Sequence, residues 1–501
     1  MRLILLIFIF FLTPIIHSQH YFFGDFQSRY LLEKKQYFSE NQHSFSKPYL
    51  VNKSNSELRQ PGIWKYAYSL DSSNFKITPV LGSNLKYDLE NDYISTSSNI
   101  GFQLNSSFNK RFFTQFKVGF HNGRLSNYES YSTYKRPFAP GFGYLNDSLK
   151  KSYSNLLLDG LISYKLGDYF VLSSGVGKNF FGDGYRSLFL SDYAPAYPFL
   201  KLESTFWKVK YINLWSLHDD LHTNLYTRNK WSSSHILSFN AFKWLNLTVF
   251  ESIVWQAQDT LNNRQFDINY INPFVFYRPI EYGMGSADNS FLGGGFKIKF
   301  LKNHVFYSNF ILDEFLLSQI KARNGWWGNK YGYQFGMKVF DILRIKGLYS
   351  ILEWNAVRPY TYSHMTSMQN YGHQNHSLAH PLESNFYEAL VILAYQKKNF
   401  DFLIQYHYQR FGKDKNLENY GGNIFSPYND RFNNNSQYGH FISQGELINQ
   451  QIFSARISLM LFPLTNTKFF AQINVKSYSS FRTSLINFGI SSNLWQSYFD
   501  Y

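Results

Sequence analysis

Apolar and polar residues alternate with period two through most of this chain, from near Lys76 to its C-terminal end. Four runs show it best. In FFTQFKVGF, Phe112, Phe116, Val118 and Phe120 share a face opposite Gln115 and Lys117. In LLLDGLISYKL, Leu156, Leu158, Ile162, Tyr164 and Leu166 oppose Asp159, Ser163 and Lys165. In FWKVKYINLW, Trp207, Val209, Tyr211 and Trp215 oppose Lys208 and Lys210. In FDFLIQYHYQ, Phe400, Phe402, Ile404, Tyr406 and Tyr408 oppose Asp401, Gln405, His407 and Gln409. Successive side chains of a strand point to opposite faces, so each run predicts a strand with one greasy and one wet side. Turn-forming clusters separate the runs: HNG (121–123), LGD (166–168), GDG (182–184), LNN (261–263), LKN (301–303) and PLTNT (463–467). After Pro61 there is room for about 18 strands, with long polar excursions at Asn122–Ser154, Tyr360–Ser384 and Gly412–Gly445. The final NFGISSNLWQSYFDY reads as a closing strand ending on an aromatic residue.

Three stretches depart from this rhythm. Arg2 followed by the apolar run Leu3–Leu12 predicts an export signal over 1–18, too short to span a bilayer. Residues 19–61 predict either a periplasmic segment, helical around FQSRYLLEKKQYF and lying at or inside the mouth of the body formed by 62–501, or a flexible leader. The third, Asp313–Gly336, places a short helix (EFLLSQIKA, with Asp313 as its N-cap) and the turn RNGWWGN between two strands. Its paired Trp326 and Trp327 are either buried struts of a loop or a platform on which a sugar ring stacks.

Composition turns this pattern into a fold class. Phe, Tyr and Trp make up 20% of the 501 residues, only 17% are charged, and there is no cysteine. An exported chain of this length without disulfides holds itself together by packing and backbone pairing. Few charges, many aromatics and period-two strands predict an all-β transmembrane barrel of about 18 antiparallel strands, with a lipid-facing outer wall edged by aromatic girdles. No fixed-period repeat points to a propeller or solenoid. The net charge of +15 is spread along the chain without a basic helix or an RNA-binding motif, so anionic polysaccharide or lipid phosphate fits it better than nucleic acid.

Candidate chemistry is sparse. His364, His373, His376 and His380 share one polar loop, but their neighbours are Asn, Gln, Ser and Tyr, which favours hydrogen-bonding imidazoles over a metal site. Asp313/Glu314, Asp219/Asp220 and Glu281/Asp288 are carboxylate pairs of the kind a glycosidase uses. Adjacent strand residues face opposite ways, which counts against the first two. Glu281 and Arg278 are expected to join Arg358 in a polar network across the lumen. No nucleophile elbow, phosphate loop or nucleotide fingerprint is present.

Several blocks resemble one family. GKNFFGDGYRSLFLSDYAPAYPFLKL (177–202) and INPFVFYRPIEYGMGSADNSFLGGGFKIKF (271–300) are similar to segments of Wzi-like capsule-assembly outer-membrane barrels. DEFLLSQIKARNGWWGNKYGYQFG, EWNAVRPYTYSH and NYGHQNHSLAHPLESNFYE resemble the RemB-type gliding-motility branch. The resemblance covers roughly Leu156–Tyr395 and implies an outer-membrane barrel of about 18 strands, closed by periplasmic helices and folded-in loops. It implies a non-enzymatic surface protein without a cofactor, engaging polysaccharide and contributing to movement. Its expected partners are outer-membrane lipid, surface polysaccharide and motility proteins; a porin-like channel is the alternative. The loops match no known sugar-contacting positions. From the residue types, Trp326 and Trp327 are the candidates for stacking, Arg323 and Arg358 for charge-assisted bonds to acidic groups, and Tyr362 and His373 for supporting contacts.

Overall fold

The computed structural model describes residues 19–22, 33–34, 43–52, 71–72, 75–108, 111–130, 138–139, 143–147, 152–221, 229–258, 264–273, 288–415, 418–478, 481–495, 498 and 500–501. The export signal over 1–18, and Arg278 and Glu281 of the expected lumen network, lie outside them.

Eighteen antiparallel strands close into one barrel. In chain order they are β1 (Phe75–Asp88), β2 (Tyr93–Phe108), β3 (Phe112–Arg124), β4 (Ser152–Leu166), β5 (Phe170–Gly177), β6 (Tyr197–Phe206), β7 (Val209–Asp219), β8 (Asn229–Phe242) and β9 (Leu245–Gln256). They continue as β10 (Asn289–Phe300), β11 (His304–Glu314), β12 (Lys330–Phe340), β13 (Leu348–Val357), β14 (Phe386–Lys397), β15 (Phe400–Lys413), β16 (Glu446–Phe462), β17 (Thr467–Tyr478) and β18 (Phe481–Ser492). Each strand pairs with the next, and β18 closes on β1 from Leu485↔Asp88 to Ser492↔Leu81. Closure leaves no open edge, so the backbone groups of the wall are satisfied without water.

The alternation sorts side chains as the sequence predicts. On β3, Phe116 and Phe120 are exposed while Gln115 and Lys117 are buried. On β4, Leu156 is 67% exposed and Ser163 only 4%. On β15, Phe400, Phe402, Ile404 and Tyr406 face outward, and Asp401, His407 and Gln409 face inward. Such a belt of exposed Leu, Ile and Phe is stable only against lipid. No described helix is long and apolar enough to cross a membrane; the strands do the crossing. The belt is interrupted over β7–β9, where residues of the following loop lie on the outer wall: Trp215 Nε1 and Ser233 Oγ both donate to the Tyr270 carbonyl, and Trp255 packs on the Tyr270 ring.

Two sequence expectations need correction. FWKVKYINLW is not one strand. Trp207 adopts a left-handed φ of 52° and, with Lys208, makes the tight turn between β6 and β7. Nor does the closing strand run to the end of the chain. β18 stops at Ser492, and Asn493, at φ 51°, turns the chain inward. Its Nδ2 donates to the carbonyls of Pro79 and Thr465, a side-chain cap on that turn.

Long connections gather at one end of the barrel, after β3, β5, β9, β11, β13 and β15, whereas the other end has short turns. In barrels of this kind the long-loop end is extracellular. Three of these loops fold into the lumen. Residues 181–194, 362–379 and 424–425 pack Phe181, Leu188, Phe189, Tyr362, Tyr371 and Phe425 against the inner side of β6–β14. The N-terminal segment joins them: Ser46–Lys47 pairs with Phe180–Phe181, and Glu33 binds Lys338 at 2.7 Å.

A buried polar node ties these pieces to the wall. Arg186, in the β5–β6 loop, donates from Nε and Nη2 to Glu388 of β14 at 3.3 and 3.1 Å, and from Nη1 to Asp500 at 3.1 Å. Glu388 also accepts from His380 Nε2 at 2.7 Å and Gln409 Nε2 at 2.8 Å. Glu353 of β13 accepts from Tyr307 and from the backbone amides of Tyr185 and Arg186. Gly184 makes the approach possible: a Cβ there would stand 2.5 Å from a Glu353 carboxylate oxygen. Buried charges are tolerated because each has several partners.

Candidate functional site

The Trp326–Trp327 turn lies at the extracellular end, in the loop between β11 and β12. The preceding helix spans Leu317–Ala322 and its N-cap is Leu316, which makes no side-chain cap bond. Asp313 is not the cap. It is an inward residue of β11, its Oδ1 3.0 Å from Lys330 Nζ and its Oδ2 accepting the Tyr362 amide at 2.8 Å. A register shift between Leu312 and Glu314 also brings Glu314 within 3.3 Å of Lys330. Both carboxylates therefore reach one lysine, although residues adjacent in a regular strand would point apart. The helix itself buries nothing: Phe315, Leu316, Leu317 and Ile320 are all exposed beside the lipid-facing belt.

The tryptophan turn is zipped to the β15–β16 loop. The Gly439 amide donates to the Asn324 carbonyl and the His440 amide to the Gly325 carbonyl, both at 2.9 Å. Trp327 donates twice to Gln437, from its backbone amide to the carbonyl and from Nε1 to Oε1 at 3.0 Å. Its ring is half-buried, with the Arg431 guanidinium 3.9 Å from the ring centre and the Tyr428 ring 4.9 Å away. Arg431 is fixed there by the Tyr428 and Ser436 carbonyls. Arg358 binds the Trp326 and His440 carbonyls, each at 3.3 Å, beneath the same junction. Trp326 is half-buried over Gly328, whose Cβ position is 2.4 Å from the indole. Gly328→Val is expected to expel that indole and to loosen the turn by about 1–2 kcal/mol while the wall stays intact. Faster proteolysis within 315–329, with unchanged heat-modifiable migration of the barrel, checks it.

The six candidate residues thus separate into two groups. Arg323, Trp326, Trp327 and Arg358 lie at this junction, with Arg323 exposed at the helix C-cap. Tyr362 and His373 are inside the barrel. The Tyr362 hydroxyl donates to the Leu188 carbonyl, and His373 Nδ1 accepts the Asp219 amide at 2.9 Å while its ring lies edge-on to His218. The other histidines of that loop go to separate partners: His364 to Gln369, His376 to the Gln374 carbonyl and His380 to Glu388. Sequence reasoning missed Tyr438 and Phe441, which stand 54% and 62% exposed on the loop zipped to the tryptophans. Their only signal was the Asn-, Tyr- and Gly-rich composition of that loop. Together the two loops form a crest: exposed aromatic rings, side-chain amides of Asn324 and Gln437, and a nearby cation. Rings stack on sugar faces and amides bond hydroxyls, so the crest is suited to a glycan.

Burial holds two loop imidazoles neutral. It drives His373 from 6.5 to about 3, with Lys230 adding to the effect, and His364 from 6.5 to about 4, with Lys330 adding. The unfolded chain takes up a proton on each near pH 6.5 and the folded chain does not. Their contribution is therefore complete above that pH and is lost as pH falls toward about 4. Thermal unfolding in detergent should show this acid-side decline, and His373→Gln should flatten it.

No known family model matches the chain, and no curated protein matches its sequence. Solved structures do match. Escherichia coli Wzi, an outer-membrane protein involved in group 1 capsule assembly and a carbohydrate-binding β-barrel, aligns with a TM-score of 0.57 and 12% identity, over 96% of this chain and 100% of that one. Acinetobacter baumannii OccAB2 aligns with a TM-score of 0.46 and 10% identity, over 84% and 97%. Pseudomonas aeruginosa outer-membrane protein OprD aligns with 0.44 and 8%, over 83% and 92%. The likeness to Wzi, over nearly all of this chain and the whole of that one, is one of fold: a closed 18-strand antiparallel barrel of the outer-membrane kind.

Proposed function

We propose that this protein sits in the outer membrane and holds surface polysaccharide on the crest formed by the loops 315–329 and 414–445, without catalysing a reaction on it. The observation that carries the reading is the pair of exposed rings, Tyr438 and Phe441, on a loop pinned to two tryptophans by backbone and side-chain bonds. A rigid aromatic surface loses little entropy when a sugar stacks on it. The Wzi-like fold supports the same reading, since Wzi binds carbohydrate. Lipid contacts the belt and the exposed helix Leu317–Ala322. The resemblance to the RemB branch adds a contribution to gliding, in which the crest grips polysaccharide and protein partners supply force. A deletion strain is expected to retain less polysaccharide at its surface and to spread less. Unchanged retention and spreading would contradict both parts; lost retention with normal spreading would remove motility alone.

A further inference from the structure

The lumen is not filled evenly. Against β6–β14 it is packed with the apolar side chains of the inward loops. The opposite arc, from β15 through β18 and β1 to β5, borders a cavity of about 420 Å³. Its wall is mixed: Gln115, Gln405, Gln472 and Asn487 line it beside charged groups and apolar side chains such as Leu403, Phe470 and Leu485. It reaches from Lys468 and Asn493, at the short-turn end, to Lys86 and Glu129, near the long-loop end.

Described residues of the segment after β18, among them Asn493, Trp495, Tyr498 and Asp500, line this cavity. Asn493 is fixed at the short-turn end by Pro79 and Thr465. Trp495 lies over Lys117, 4.2 Å from ring centre to Nζ. Higher up, the Tyr498 hydroxyl donates to Asp192 at 2.7 Å, and Asp500 meets Arg186. Tyr501 sits near the top, its carbonyl accepting from Lys476 at 3.0 Å and its ring edge-on to Tyr193.

We propose that the barrel has a second function, as a latent aqueous passage for small anions along the β15–β5 arc, stoppered by this segment. Three features support it. The segment is held by side-chain polar bonds and ring contacts, which water can replace, whereas the N-terminal segment is joined to the inward loop by strand pairing. Withdrawal leaves Arg186 its two bonds to Glu388, and Lys476, which loses the Tyr501 carbonyl, keeps its place over the Tyr128 ring. The lining carries six cationic residues, Lys47, Lys86, Lys117, Lys178, Arg456 and Lys468, against the carboxylates Glu129, Asp159, Asp192 and Asp500. Asp500 leaves with the stopper, so the opened path is more cationic and favours anions.

Planar-bilayer recording tests this with the full chain and with a chain ending at Asn493, in a potassium chloride gradient. The full chain is expected to be silent. The shortened chain is expected to give resolved openings whose reversal potential shifts to the chloride side. A shortened barrel that migrates as folded and stays silent, or that prefers potassium, would overturn the proposal. Should the shortened chain fail to fold, a second measurement decides. The chain has no cysteine, so Gln472→Cys gives one reporter in the cavity wall. A membrane-impermeant thiol reagent is expected to label it faster when Asp500→Asn is added; an unchanged rate would overturn the stopper.

Discussion

Arg186→Met is expected to cost on the order of 3–5 kcal/mol of barrel stability, the range for removing one partner of a buried ion pair. The guanidinium is 2% exposed and donates to two carboxylates on different parts of the chain, Glu388 of the wall and Asp500 of the lumen segment. Methionine fills much of the volume but leaves Glu388 facing only His380, His407 and neutral amides. Arg186→Lys keeps a charge and loses the two-pronged bond to Glu388, so its cost is expected to be smaller, about 1–3 kcal/mol. Denaturant midpoints of the detergent-folded protein, read by tryptophan fluorescence, check both. A loss below about 1 kcal/mol for Arg186→Met would show that the node is held by its neutral donors instead.

Tyr438→Ala and Phe441→Ala are expected to leave the barrel as stable as before and to weaken polysaccharide binding about tenfold each, the scale of one central contact in a binding surface. Both rings are more than half exposed, so truncation opens no cavity. Trp327→Ala should behave differently. It removes the ring beneath Arg431 and the Nε1 bond to Gln437, and so should lower both loop stability and binding. Stability separates the two cases: if the exposed-ring variants lost it to the same extent as Trp327→Ala, the rings would be struts and the crest would not be a binding surface.

The wall was legible because its signal is local. Leu156, Leu158 and Ile162 alternate with inward residues, and lipid on one side with lumen on the other imposes that period. The end of the wall was not legible, because NLWQSYFDY is at least as rich in apolar residues as the strand end FGISS. Only the turn at Asn493 separates strand from lumen segment. The interior was the least visible part. GDGYR reads as a tight turn, yet its arginine is the hub of a node whose partners lie about 200 and 310 residues away. Asp313 looked like a helix cap because sequence shows its neighbours and not Lys330 across the register shift. At the candidate site, the adjacent tryptophans were visible in the sequence but their surroundings were not. Their half-buried state depends on Arg431 and Gln437, which come from a loop a hundred residues on.

Saturable binding between the purified, detergent-folded full chain and polysaccharide isolated from the surface of its own cells decides whether the crest holds a glycan. Binding is expected, and the Trp326→Ala/Trp327→Ala double variant is expected to lose it while its barrel stays folded. A folded wild-type barrel that binds no polysaccharide from those cells would contradict it, and would leave the crest as a surface for protein partners.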